Sequence, residues 1–262
     1  MNKILPTLSP GVAIAAATAS EQTTAKTLSD HLQMPLVDST CRDFPHLLTV
    51  TRDRLELRDT TIEGPGPVFV DFASDNLFYR RQHGGGRREP LIRAVGTKSG
   101  LPQEVIDATA GLGRDAFLMA AQGIHVRLFE RNPIIAALLS DGLKRAAKDS
   151  RLKPIIAHME LLPCDSLNIL REESHTRPAE VIYLDPMYPH RTKTAKVKKE
   201  MLYLRAIVGD DHDAHLLLAM ALAGACQRVV VKRPAQAPPI DSRPPDFSRK
   251  TGNHRFDVYL VR

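Results

Sequence analysis

From residue 103 to the C-terminus, short apolar runs alternate with stretches of helical spacing, and few folds accommodate that alternation. Val105-Ile106-Asp107-Ala108 has the make-up of a buried strand, and residues 115–122 carry helical spacing up to Gly123. Residues 125–129 read as a strand and 133–147 as a helix, with Pro133 in a first turn that has no use for its missing N–H. A further strand is expected at 181–184, helices at 198–208 and 213–226, and late strands at 229–231 and 256–261. Strands joined by helices build a mostly parallel sheet covered on both faces, so a doubly wound α/β domain is expected over residues 100–262. Five prolines between residues 234 and 245 mark a loop before the last strand, which is expected to pair antiparallel at the sheet edge.

Residues 1–99 read as a small N-terminal α/β region of short strands and turns. Residues 47–51 and 55–58 flank Arg52-Asp53-Arg54 as a hairpin, Gly64-Pro65-Gly66-Pro67 is a turn, and 68–72 form an apolar strand. With 43% hydrophobic and 25% charged residues, a wholly disordered chain is excluded. Cys41, Cys164 and Cys226 form no C-x-x-C pair, which argues against a disulfide framework or zinc ribbon and suits a reducing, cytoplasmic compartment. The longest apolar run, residues 216–226, falls short of the roughly 20 residues a membrane helix needs. Met1-Asn2-Lys3 and the apolar residues 12–17 loosely resemble a signal peptide. Pro6, Ser9, Pro10 and Gly11 interrupt that pattern, and the segment reads as a loop and first strand.

The strongest local motif is Asp107-Ala108-Thr109-Ala110-Gly111-Leu112-Gly113-Arg114-Asp115-Ala116, between an expected strand and an expected helix. Gly111 and Gly113 permit a tight turn and a close backbone approach to a ligand at the carboxyl end of the strand. The second strand ends in Glu130, placed to accept hydrogen bonds from a ribose diol. An adenosine-containing cofactor is implied. G-x-G-x-x-A also fits a dinucleotide fingerprint. A pyrophosphate needs a helix N-terminus without nearby negative charge. Asp107 and Asp115 suit a cationic ligand better, and S-adenosylmethionine carries a sulfonium and an ammonium.

Val181-Ile182-Tyr183-Leu184-Asp185-Pro186-Met187-Tyr188-Pro189 places Asp-Pro-x-Tyr directly after a buried strand. The exocyclic amine of a nucleobase is a poor nucleophile because its lone pair is delocalised into the ring. A carboxylate (Asp185) and a carbonyl held rigid by proline (Pro186) can accept its two N–H groups and orient the lone pair toward a methyl donor. Tyr188 can stack on a flipped-out base.

These motifs resemble the class I S-adenosylmethionine-dependent methyltransferases that act on amino groups, with Met187 where that pattern has a second proline. The closer resemblance is to the ribosomal RNA small subunit methyltransferase J family. It is carried by V-D-F at 70–72, R-R-Q-H-G-G-G-R at 80–87, D-A-T-A-G-L-G-R-D-A-F at 107–117 and E-R-N-P at 130–133. Y-L-D-P-M-Y-P-H at 183–190, V-K-K-E-M at 197–201, V-V-V-K-R-P at 229–234 and H-R-F-D at 254–257 extend it. The resemblance implies a seven-stranded class I methyltransferase sheet. It also implies cofactor contacts at Arg114, Asp115, Glu130, Arg131, Asp165, Ser166 and Asp185, and methylation of a guanine N2 in the 16S rRNA of the small subunit. Guanine rather than adenine rests on the resemblance alone.

Charge placement agrees with a polyanionic partner. The chain carries 36 Lys+Arg against 30 Asp+Glu, and the excess gathers in two blocks. Arg80, Arg81, Arg87 and Arg88 surround a glycine triplet, and Arg191, Lys193, Lys198 and Lys199 follow the Asp-Pro-x-Tyr motif. With Lys232 and Arg233 they are expected to hold RNA phosphates. Asp210-Asp211-His212-Asp213 with His215 could suggest a metal cluster, but acids at a helix start are the simpler reading, and no metal is expected. Cys164 and Cys226 are expected as buried small hydrophobes, since transfer to an amine needs no thiol. Two other classes compete: a nicotinamide-dependent oxidoreductase using the same glycine loop, and a non-catalytic RNA-binding protein. Another RNA or DNA amino group is the nearest alternative substrate.

Overall fold

The computed structural model describes residues 11–61, 66–74, 89–173, 179–187, 207–209 and 213–261. Two sheets organise them. The smaller has the order β2-β1-β3-β4, built from β1 (Val12–Ala16), β2 (Leu36–Val37), β3 (His46–Val50) and β4 (Leu55–Asp59). β1 is buried on both faces, with β2 and β3 parallel to it, while β3 and β4 form the expected antiparallel hairpin. Thr51 closes that hairpin: its hydroxyl donates to the Arg54 carbonyl at 2.8 Å and accepts the Arg54 N–H at 3.1 Å. Residues 68–72 form no strand; Val68 makes only a single bridge to Leu57. The helix Gln22–Leu32 buries Ala25, Ser29 and Leu32. It is largely polar, and its apolar stripe is too sparse to reveal it in sequence.

The larger sheet has the order β10-β11-β9-β8-β5-β6-β7. Its strands are β5 (Glu104–Asp107), β6 (His125–Phe129), β7 (Met159–Leu162), β8 (Ala179–Leu184), β9 (Ala225–Pro234), β10 (Phe247–Lys250) and β11 (His254–Leu260). β9, β8, β5, β6 and β7 run parallel, and β11 is antiparallel to both β9 and β10. This is the expected mostly parallel, seven-stranded sheet with two corrections. β11 is not at the edge, because β10 lies outside it; Phe-Ser-Arg-Lys holds one apolar residue, too few for a period to show. The helix expected over 213–226 ends at Gly224, and the chain passes directly into β9, leaving Cys226 exposed; Cys164, after β7, is only half-buried, so neither is the buried small hydrophobe expected. The expected helix at 198–208 lies almost wholly outside the described residues; Ile207 and Val208 are helical.

One apolar core joins the two sheets. Phe72 stacks on Phe117 at 5.2 Å between ring centroids, and both are buried. Gly142, on the helix Pro133–Ala146, lets that helix lie directly against Val70, and Arg145 donates to the Val70 carbonyl. The helix Pro90–Val95 packs toward β9 and β11, where Arg228 donates to the Ala94 carbonyl at 3.2 Å.

Gly113 is a point of close approach. It opens the helix Arg114–Ala120 with φ of 74°, and a Cβ there would stand 2.7 Å from Leu139 and 3.3 Å from Phe72. Gly111 also has positive φ, 54°, but the nearest atom to its Cβ position is 3.9 Å away. Gly113→Ala therefore combines left-handed strain with overpacking, and an expected loss of about 2–4 kcal/mol. Thermal unfolding should show the Gly113 variant well below Gly111→Ala; equal midpoints would contradict the packing argument.

Candidate active site

In the larger sheet, the chain leaves β5 toward β6 on one side and leaves β8 toward β9 on the other. The carboxyl ends of β5 and β8 therefore part their loops and leave a crevice, the usual ligand position in an open α/β sheet. Hydrogen bonds stitch its walls. Ala108 N–H donates to the Tyr183 carbonyl and Ala110 N–H to the Phe129 carbonyl, both at 3.0 Å. Asp185 N–H donates to the Thr109 hydroxyl at 2.6 Å, tying the Asp-Pro-x-Tyr segment to the glycine loop.

Glu-Arg-Asn-Pro after β6 is a compact device in which each residue has a task. The Glu130 carboxylate accepts Gly111 N–H at 2.9 Å and Asn132 N–H at 2.7 Å, and so fixes the glycine loop against the end of β6. Arg131 pairs with Asp213 at 2.6 Å across the crevice. Asn132 caps the following helix by accepting Ile134 and Ile135 N–H groups, and Pro133 occupies its first turn. Burial pushes Asp213 up, but Arg131 outweighs it and holds that carboxyl below its usual range.

Gly111, Glu130, Arg131, Ser166 and Asp185 line one cavity, together with Phe129, Ile135, Leu167 and Met187. The other proposed cofactor contacts stand outside that lining. Asp107 is buried beneath the loop, where it accepts Thr109 N–H at 3.2 Å. Burial drives its carboxyl well above the usual range; Thr109 and Lys232 oppose this, while Asp115 and Asp185 reinforce it. Asp165 accepts Leu167 N–H at 3.0 Å at the start of the helix Ser166–Glu173. Arg114 is exposed at the start of its helix, and Gly113 faces the core. Asp115 accepts the Tyr183 hydroxyl and the Lys232 ammonium, each at 2.7 Å.

The last contact corrects an expectation. Lys232 does not reach out for phosphates: its ammonium bridges Asp115 and Asp185, the latter at 2.8 Å. Burial alone would depress this ammonium, but the two carboxylates reverse the effect and raise it. Arg233 is also withdrawn from solvent. It is buried and donates to the Pro238 carbonyl at 2.9 Å, bracing the proline-rich loop. Arg255 does the same by donating to the carbonyls of Pro234, Ala235 and Ala237 while gripping Asp257. Basic residues at the end of β9 are thus drawn inward, Lys232 by Asp185 at the end of the neighbouring β8 and by Asp115 after β5, and Arg233 by a carbonyl of the proline-rich loop.

Pro186 is buried beside the crevice. Tyr188, Arg80, Arg81, Arg87, Arg88, Arg191, Lys193, Lys198 and Lys199 lie outside the described residues, as do Asp210, Asp211 and His212. Among the described residues no group of three or more His, Cys, Asp or Glu is placed to hold a metal ion. No helix among them is long and apolar enough to cross a membrane. Sequence reasoning missed Thr109, although it sits inside the glycine motif and its hydroxyl was a visible hint. It also missed the pairing of Arg131 with Asp213, which are 82 residues apart and give no local signal.

The residues present fit S-adenosylmethionine. Phe129, Ile135 and Leu167 offer an apolar wall to an adenine ring, Glu130 offers carboxylate oxygens to a ribose, and Asp185 adds negative charge for a cationic ligand. A dinucleotide fits poorly, because Asp115 occupies the first turn of a helix only seven residues long.

Comparison with known proteins gives the same class. The family model described as "Putative SAM-dependent methyltransferase" matches residues 28–261. A protein of Pectobacterium atrosepticum named ribosomal RNA small subunit methyltransferase J is 50% identical over 214 residues, covering 81% of this chain and 86% of its own. One of the same name from Pseudomonas syringae pv. tomato is 48% identical over 231 residues, covering 88% and 84%. The crystal structure of a SAM-dependent methyltransferase from Neisseria gonorrhoeae superimposes with a TM-score of 0.72 at 33% identity, over 95% of this chain and 96% of that one.

Proposed function

This chain belongs to the ribosomal RNA small subunit methyltransferase J family of S-adenosylmethionine-dependent methyltransferases, and from that membership we propose that it methylates the exocyclic N2 amine of a guanine in 16S rRNA. The observation that carries the chemistry is the position of Asp185. Its side chain is 39% exposed at the cavity, directly after β8, and its backbone N–H is fixed by Thr109. When bound, S-adenosylmethionine supplies an electrophilic methyl on a positively charged sulfur.

The chain's own residues do the rest. Asp185 accepts one N–H of the amine and the Pro186 carbonyl accepts the other, so the nitrogen lone pair points at the methyl and growing positive charge meets a carboxylate. Tyr188 stacks on the base. The nitrogen would take the methyl that the sulfonium supplies, and its surplus proton would pass to water at the exposed end of Asp185. Glu130 holds the ribose, with Gly111, Arg131 and Ser166 completing the cofactor wall. Residues 100–262 carry this chemistry, and residues 1–99 contribute a basic loop to the substrate side. Arg80, Arg81, Arg87, Arg88, Arg191, Lys193, Lys198 and Lys199 hold RNA phosphates, so binding weakens as salt rises. The working compartment is the cytoplasm, where small subunits are assembled.

Two measurements test this reading. Calorimetry should show S-adenosylmethionine binding and no NAD binding; the reverse would favour an oxidoreductase. Nucleoside mass spectrometry of 16S rRNA from cells without the gene should show N2-methylguanosine reduced relative to the parent. An unchanged content would remove the substrate assignment.

A further inference from the structure

Lys232 lies on β9, one residue beyond the Leu184–Val231 pair that registers β9 against β8, and so beside Asp185. Its ammonium donates to Asp115 Oδ2 at 2.7 Å and to Asp185 Oδ2 at 2.8 Å. The same Asp115 oxygen accepts the Tyr183 hydroxyl at 2.7 Å. The groups that act on one another here are Asp107 from β5, Asp115 from the helix Arg114–Ala120, Tyr183 from β8 and Lys232 from β9. β11 contributes the Phe256 ring, paired across from Lys232.

Three carboxyl groups thus crowd one small, partly dry space, and the Lys232 ammonium touches two of them. Without it, repulsion between the neighbouring carboxylates favours protonation of one of them. A protonated Asp185 would offer an O–H donor to an amine whose N–H groups require acceptors.

We infer that Lys232 is a positioning residue for methyl transfer, holding Asp185 ionised and fixing the rotation of its carboxylate toward the base. This rests on the reading of Asp185 as the acceptor of the amine. Lys232 acts through Asp185 and does not touch the base. Asp115 is the second anchor that keeps the ammonium in place, and Tyr183 keeps Asp115 in place.

The test compares the wild-type chain with Lys232→Met and with Lys232→Met/Asp115→Asn, each checked for folding by circular dichroism. The expected results for Lys232→Met are a fall in kcat of about 100-fold at neutral pH and a cofactor Kd within a few-fold of wild type. The deficit should shrink as pH rises, because Asp185 then loses its proton, whereas the wild-type profile shows no such limb. Removing the second carboxylate in the double variant should restore part of kcat and flatten the profile. Independently of activity, carboxyl NMR of aspartate-labelled protein should show the Asp185 titration displaced upward by about one pH unit or more in Lys232→Met. A pH-independent loss with an unmoved Asp185 titration would overturn the inference and leave Lys232 a structural residue. If the wild-type chain methylates no ribosomal RNA, the substrate reading fails, and the Asp185 titration alone still decides whether Lys232 governs its charge.

Discussion

Replacing Asp185 by alanine abolishes methyl transfer, with kcat falling about 10³-fold or more, while the fold stays close to wild type and cofactor affinity, which loses one facing charge, weakens only about 10-fold. The magnitude follows from the chemistry of an arylamine. Its lone pair is available only when both N–H groups are held by acceptors, and the developing charge is stabilised only by a group already in place. Asp185 is 39% exposed and packs no core, so its loss leaves no cavity. Its backbone bond to Thr109 survives the substitution. Single-turnover rates with saturating substrate, read beside calorimetric cofactor binding, check both halves of the prediction. A variant with near-wild-type kcat would remove Asp185 from the reaction.

Glu130→Ala has the opposite signature: cofactor affinity weakens about 10- to 100-fold, and the rate at saturating cofactor falls far less. Two causes add. The carboxylate proposed to hold the ribose is lost, and the Gly111 and Asn132 N–H groups lose their acceptor, at about 1.5–3 kcal/mol for hydrogen bonds to a charged group. Glu130→Gln keeps one carbonyl acceptor for either N–H and should fall between wild type and alanine. Calorimetric titration with S-adenosylmethionine measures the order. Equal affinity in all three proteins would mean that Glu130 serves only the loop's stability.

The parts of this molecule that were legible in the sequence are those in which neighbouring residues do neighbouring jobs. β6, over His125–Phe129, falls on the expected residues because Val126, Leu128 and Phe129 mark it despite the buried Arg127 between them, and the helix Pro133–Ala146 starts where Pro133 announces it. The glycine loop, Glu130 and Asp185 meet at one crevice because each closes a parallel strand of the same sheet, which the strand–helix alternation implies. What stayed hidden depends on contacts between distant segments. β10, with one apolar residue in four, has no sequence period and is defined by its pairing with β11. Lys232 and Arg233 look in sequence like surface cations, and only the sheet register shows that acids and carbonyls have drawn them inward. The acid cluster under the loop is assembled from Asp107, Asp115, Tyr183 and Lys232, which span more than a hundred residues of chain and share no local pattern.

The central claim is a reaction at one atom of one kind of base, and it is tested most directly by supplying both partners. Purified protein and S-adenosylmethionine carrying a labelled methyl group would be incubated with small-subunit particles from cells lacking this protein, and the RNA digested for nucleoside mass spectrometry. The account predicts label in N2-methylguanosine of 16S rRNA, absent when Asp185→Ala protein is used. Label in another nucleoside, or no transfer to particles or naked rRNA by a protein that binds the cofactor, would contradict it.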